Sequence, residues 1–146
     1  MITGKKIVLT GASSGIGLEV TEFLNDAGCE VTVIEMASEI APGAWFQLVD
    51  DELERIKPFG TKFMTGTKLI GIEEGRVCVA NALTGAESVL SADNVVLSLG
   101  VRPVNGLANE LRAQGLSNVF TVGDAVKSGT IADATHSAYD TVMTIR

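Results

Sequence analysis

The strongest constraint on this chain is a glycine- and serine-rich turn set between an apolar run and a helical pattern. Ile7-Val8-Leu9 is short, continuous and rich in β-branched residues, the texture of a strand buried on both faces. Thr10-Gly11-Ala12-Ser13-Ser14-Gly15-Ile16-Gly17 follows directly. Leu18, Val20, Thr21, Phe23, Leu24 and Ala27 then recur at mostly helical spacing, and Gly28 fits the stop. Val31-Thr32-Val33-Ile34 is a second buried-strand run, ending at Glu35. Strand, loop, helix and strand in this order require a right-handed crossover and a parallel sheet.

The rest of the chain extends that plan. Phe46, Val49, Leu53 and Ile56 give an apolar stripe to a helix running from Trp45 to Lys57, stopped by Pro58. Thr61 to Met64 reads as a third parallel strand. The texture then changes. Lys68 to Ile72, Arg76 to Ala80 and Glu87 to Leu90 are short strands with Glu74-Gly75 and Thr84-Gly85 between them, the signature of an antiparallel meander. Asn94 to Leu99 returns to the buried parallel type, and Val119 to Val122 does so again before Gly123-Asp124. Helices are predicted over Leu107 to Ala113 and Ile131 to Ile145. The expected fold class is α/β: a Rossmann-like three-layer domain with a central parallel sheet and the antiparallel meander on one face.

Composition removes several function classes. Among 146 residues, 11 Lys and Arg face 18 Asp and Glu, a net charge of −7 with no basic run. Nucleic acid and anionic membrane are therefore poor partners, and an anionic ligand has to be held by local devices such as a helix N-terminus. Cys29 and Cys78 form no C-x-x-C pair, so a local redox dithiol and a zinc ribbon are excluded, and a reducing compartment is expected. No apolar run approaches the roughly 20 residues that a bilayer demands, and no signal-peptide core is present near the N-terminus. The expected location is cytoplasmic.

The loop carries the chemistry. Gly11, Ser13, Ser14, Gly15, Ile16 and Gly17 let the backbone turn sharply at the start of a helix. The free N–H groups and positive dipole end there suit a diphosphate. Glu35 stands 18 residues after Gly17 at the end of the next strand. A carboxylate at that edge can accept both hydroxyl hydrogens of an adenosine ribose. Together they point to a dinucleotide. The carboxylate repels a 2′-phosphate, and Met36-Ala37-Ser38 offers no arginine to receive one, so NAD(H) is expected over NADP(H). Met36 is the adjoining candidate contact. Gly100, after the Asn94 to Leu99 run, permits close backbone approach at the same edge. Arg102 reads equally as a ligand contact and as a surface arginine. Asp124 in Gly123-Asp124 reads alone as a turn. His136, the single histidine, lacks a positioned serine or carboxylate partner. No general acid or base and no metal set is identified.

Two resemblances bear on this reading. Thr10 to Gly17 looks like the T-G-x-x-x-G-x-G loop of short-chain dehydrogenases, but the Tyr-x-x-x-Lys pair of that family is missing: the single tyrosine is Tyr139, and position 143 is Met143. Gly17-Leu18-Glu19-Val20, Glu30 to Met36, Glu39-Ile40-Ala41-Pro42-Gly43, Val96 to Pro103 and Val119 to Ala125 resemble, in order, the NAD(P)H-binding domain of FAD-dependent pyridine nucleotide oxidoreductases. The nearest subgroup is the NADH:flavin oxidoreductase / 2,4-dienoyl-CoA reductase group. Its usual G-x-G-x-x-G loop would set its first two glycines at Ala12 and Ser14, so Gly11 and Gly15 are offset replacements. The resemblance implies an NAD(P)H-binding domain over residues 1–104. It implies that residues 105–146 form the end of a discontinuous FAD-binding domain, with Asp124 facing the ribitol and phosphate region of FAD. The FMN- and FAD-binding remainder of such a parent protein is outside this sequence. The implied role is to present NADH for hydride transfer to a flavin, with the isolated chain inactive alone and its tail, detached from its partner segment, expected to pack back on the sheet or across a homodimer. The alternatives are a short-chain-type reductase and a non-catalytic nucleotide-binding or assembly module.

Overall fold

The computed structural model describes residues 2–12, 15–42 and 44–145. The chain divides after Gly100 into two compact units, each described by itself.

In the first unit, β1 (Lys6–Thr10), β2 (Glu30–Ile34), β3 (Lys62–Met64) and β7 (Asn94–Leu97) form a parallel sheet in the order β3-β2-β1-β7. β1 and β2 lie inside this sheet. Their apolar runs are continuous because they must satisfy two covered faces. Ile7, Leu9, Val31 and Val33 point to one side, where Leu24, Cys29 and Ala12 complete a core. Val8 and Ile34 point to the other, against Val77, Val79 and Ala92. That second side is covered by an antiparallel sheet of β4 (Thr67–Glu73), β5 (Arg76–Asn81) and β6 (Glu87–Ser91) in the order β4-β5-β6. The expected three-layer arrangement is therefore present.

Helix α1 (Gly15–Asp26) covers the first side. It buries Gly17, Leu18, Thr21, Leu24 and Asn25, positions that recur with the helical period. Phe23, read from sequence as part of the apolar stripe, is two-thirds exposed, because it falls between the buried positions 21 and 24 on the opposite side of the turn. The helix ends at Gly28 with φ +79°. The Gly28 N–H donates to Asn25 O and the Cys29 N–H to Leu24 O, at 2.8 and 3.0 Å, the two bonds of a Schellman stop. Helix α2 (Phe46–Ile56) runs into a 3₁₀ turn at Lys57–Phe59. It sets Val49 and Ile56 against Leu18 and Ala41.

β7 departs from the reading of its sequence. Asn94 to Leu99 has the composition of a strand buried on both faces, yet the strand ends at Leu97, which is 55% exposed. β7 is the edge of the sheet, so only one flank of its backbone is paired.

The second unit holds α3 (Gly106–Ala113), a 3₁₀ turn at Gly123–Ala125 and α4 (Ile131–Thr144). Thr130 and Asp133 close a capping box at the start of α4: the Thr130 Oγ1 accepts from the Asp133 N–H while the Asp133 carboxylate accepts from the Thr130 N–H. These hydrogen bonds from Thr130 hold the Asp133 carboxyl below its ordinary range. Val119 to Val122, expected as a buried strand, lies outside any sheet, with Phe120 52% exposed. Among the described residues of this unit no strand offers it a ladder. Arg112 instead reaches it, donating from Nη2 to Val119 O at 2.9 Å and Thr121 Oγ1 at 3.0 Å. Among the described residues no helix is long and apolar enough to cross a membrane.

Candidate functional site

Strand register gathers the candidate residues of the first unit. Thr10 is level with Ile34 on one side and Leu97 on the other. The residues that follow each strand, Gly11, Glu35 and Ser98, therefore emerge at one edge of the parallel sheet. Three strand ends meeting above a helix N-terminus is the crevice where open α/β sheets hold ligands.

Gly11 makes the first turn. Its φ is +92°, and a Cβ built there would stand 1.9 Å from the Ser98 carbonyl oxygen. Its N–H donates to Ile34 O at 3.0 Å, and the neighbouring Ser98 N–H donates to Thr10 O at 2.8 Å. No side chain fits between these backbones. Gly17 makes the second close approach: a Cβ there would lie 2.5 Å from Gly11 O and 3.0 Å from the Ala12 Cα. Gly11 and Ala12 thus lie against the first turn of α1, and only glycine at position 17 permits it. Gly15 opens α1 with its nearest neighbour, Leu48, 4.0 Å from a built Cβ. Ile16 projects into solvent from that turn. Ser13 and Ser14 lie outside the described residues. The displaced glycine of the sequence therefore serves as the tight turn: Gly11 takes the close contact with β7, while Ala12 is fully buried and accommodates its methyl group.

Glu35 is 5% exposed. Its Oε2 accepts from the Ala12 N–H at 2.6 Å and its Oε1 from the Ala37 N–H at 2.9 Å. Its own N–H donates to Met64 O. The carboxylate is thus placed beside the glycine loop, as the spacing requires. Met36, the next residue, is exposed. Gly100 has φ +75° and open space around it, two residues beyond the Ser98 carbonyl. Sequence reasoning missed Ala41 and Ser98. The Ala41 N–H donates to Ala12 O at 2.7 Å, and its φ is +48°. Ser98 acts through its main chain. Neither residue type announces such a role.

The other candidates stand apart from this edge or in the second unit. Arg102 and Asp124 line one cleft of about 270 Å³ together with Val101, Val104, Ala125 and Ser128. The Asp124 Oδ1 accepts from the Gly129 N–H at 3.2 Å, the bond of a turn. His136 is exposed on α4. Cys29 is buried, its thiol directed to Ile2 O at 3.2 Å, and Cys78 is half-buried on the antiparallel sheet. Among the described residues no cluster of His, Cys, Asp and Glu could hold a metal ion.

Comparison with known proteins settles the family. The model of the pyridine nucleotide-disulphide oxidoreductases matches residues 2–140. The chain belongs to this family. Its relatives are oxidoreductases and far longer. It is 28% identical over 149 residues to the mitochondrial dihydrolipoyl dehydrogenase of Pisum sativum, covering 88% of this chain and 30% of that protein. It is 30% identical over 146 residues to an NADH oxidase of Thermoanaerobacter brockii, covering 97% of this chain and 21% of that protein. The structure of histamine dehydrogenase from Rhizobium sp. 4-9 superposes with a TM-score of 0.78 at 21% identity, covering 99% of this chain and 24% of that one. That likeness is one of fold. The chain accordingly spans less than a third of the length of these relatives.

Proposed function

We propose that this chain is an NAD(H)-binding module of a flavin-dependent oxidoreductase, placing NADH so that a hydride can pass to a flavin. The observation that carries the reading is the pair of glycine-only contacts at Gly11 and Gly17 beside the buried carboxylate of Glu35. These backbone-to-backbone contacts draw the end of β1 and the first turn of α1 together, which sets a helix N-terminus at the strand edge where a diphosphate is held. Gly11, Ser13, Ser14, Gly15, Ile16 and Gly17 would hold the diphosphate at the N-terminus of α1. Glu35 would accept from the ribose hydroxyls, Met36 would flank the adenosine, and Gly100 would line the crevice. When bound, the nicotinamide and the flavin supply the redox chemistry. The protein's part is placement: aligned N–H groups offset the diphosphate charge, which the net charge of −7 opposes.

Residues 105–146 would complete a FAD-binding domain supplied elsewhere in the parent protein, with Asp124 toward the ribitol and phosphate region. The ordered sequence resemblance favours the NADH:flavin oxidoreductase / 2,4-dienoyl-CoA reductase group. A cytoplasmic location, inactivity of the isolated chain, and cover for the apolar tail from the parent or a second copy belong to the same reading.

The test is calorimetric titration of the folded chain with NADH and, separately, with NADPH. Saturable NADH binding is expected, at least about tenfold tighter than NADPH, a difference of roughly 1.4 kcal/mol. Glu35→Ala should abolish the preference. A folded chain that gives no heat with either nucleotide would overturn the proposal in favour of a non-catalytic assembly module.

A further inference from the structure

Both oxygens of Glu35 are already engaged within the protein. Oε2 holds the Ala12 N–H at 2.6 Å and Oε1 the Ala37 N–H at 2.9 Å, with the residue 5% exposed. Bonds from backbone N–H groups to a buried carboxylate are charge-assisted and stronger than neutral ones. The other polar group of Ala12, its carbonyl, accepts from the Ala41 N–H at 2.7 Å. Ala41 is buried and has φ +48°, a left-handed backbone that a residue with a Cβ keeps only where its surroundings hold it. Ala12 is therefore gripped at both ends by the segment that follows β2. Gly11 on one side of it is pinned by Ile34 O and Ser98.

We infer that Glu35 is a positioning residue: its carboxylate fixes Ala12, where the chain leaves β1 for α1, before any ligand arrives. For its functional consequence this rests on the dinucleotide reading above. Each carboxylate oxygen has a second lone pair, so the same group can tether the loop and still accept from ribose hydroxyls. Two opposed tethers also stop the carboxylate from rotating away from a 2′-phosphate, which makes its repulsion unavoidable. Preorganisation of this kind removes the ordering cost from the binding step.

The decisive experiment is NMR on the full ¹⁵N- and ¹³C-labelled chain without nucleotide. The Ala12 amide proton is followed across an acid titration together with the side-chain carboxyl carbon of Glu35. The two are expected to move in step, and Glu35→Gln should remove the response. Hydrogen exchange at Ala12 should accelerate roughly ten- to a hundredfold in Glu35→Gln, the size of a charge-assisted bond, while Val8 and Val33 keep their protection. An Ala12 amide indifferent to Glu35 protonation in the unmodified chain overturns the inference without reliance on any variant. Unchanged Ala12 exchange in a folded Glu35→Gln does so too. A tether present with no NADH binding would sink the dinucleotide reading alone. NADH binding with no tether would sink this inference alone.

Discussion

Gly11→Ala isolates the most demanding contact in the fold. The added Cβ meets the Ser98 carbonyl oxygen at 1.9 Å, where ordinary contact begins at 3.4 Å. Main chain must therefore move by about 1.5 Å, the difference between those two distances. Ser98 is carried by the end of β7 and Gly11 by the end of β1, so the movement prises two paired strands apart. The Ser98 N–H bond to Thr10 O and the Gly11 N–H bond to Ile34 O are both at stake, about 1 kcal/mol each. The backbone at φ +92° adds a further cost for a residue with a Cβ, about 1–2 kcal/mol. A stiffer unfolded chain takes back about 0.5–1 kcal/mol. The expected net loss is about 3 kcal/mol, a large share of the 5–15 kcal/mol typical of a domain.

The assay is urea unfolding followed by far-ultraviolet circular dichroism, since the single tryptophan, Trp45, is exposed and reports poorly on the core. Gly100→Ala is the matched control. It has φ +75° but nothing within 4 Å of a built Cβ, so it isolates the backbone term of about 1 kcal/mol. If Gly11→Ala and Gly100→Ala lose the same stability within about 0.5 kcal/mol, the carbonyl contact is not a constraint and the packing argument for the loop is wrong.

Three further substitutions probe the α1–α2 side. Glu52 is 1% exposed with Oε2 unpartnered. Burial first, then the charges of Glu19, Glu22 and Asp51 raise its carboxyl above the ordinary 4.5, against an opposing effect of Arg55. An acid whose folded value is raised stabilises the fold below its unfolded value and loses that contribution as pH climbs through the folded one. Glu52→Gln should therefore melt higher than the unmodified chain at pH 7 and converge with it below about pH 4.5. A melting difference independent of pH would refute the assignment. Ile56→Ala removes a fully buried side chain packed with Leu18, Ala41 and Val49. It should lose about 2–5 kcal/mol in urea unfolding, whereas Phe46→Ala, at an exposed position of the same helix, should stay within about 0.5 kcal/mol.

The glycine loop was legible in kind and partly in place. The segment from Thr10 to Gly17 joins a strand to a helix as its composition requires, with Thr10 closing β1 and Gly15 already opening α1, and Glu35 reaches Ala12 within it. Register could not be read the same way. A comparison of glycine spacings sets the first glycine at position 12, whereas the structure puts the close contact at Gly11 and buries the Ala12 methyl. What decides this is the carbonyl of Ser98, some 87 residues along the chain, and a main-chain atom leaves no trace in composition. The same holds for Ala41, whose left-handed backbone is enforced by a bond to Ala12 rather than by its side chain. Glu35 was legible as a carboxylate placed beside the glycine loop. Its engagement with the loop was not, because a carboxylate at a strand end faces both the crevice and the neighbouring backbone.

Three apolar runs of similar texture had three fates, and the difference lies in what stands beside them. Ile7 to Leu9 is flanked by β2 and β7 and covered on both faces. Asn94 to Leu97 is flanked only by β1 and half covered. Val119 to Val122 has no ladder among the described residues and is tied instead to Arg112 by its Val119 carbonyl and Thr121 hydroxyl. Local sequence expresses a preference for extended backbone and apolar neighbours. It does not supply the neighbours, and a strand is defined by pairing. The unpaired run at Val119 to Val122 is therefore no failure of propensity. It marks the place in the second unit where a preference for pairing is stated and no strand among the described residues answers it.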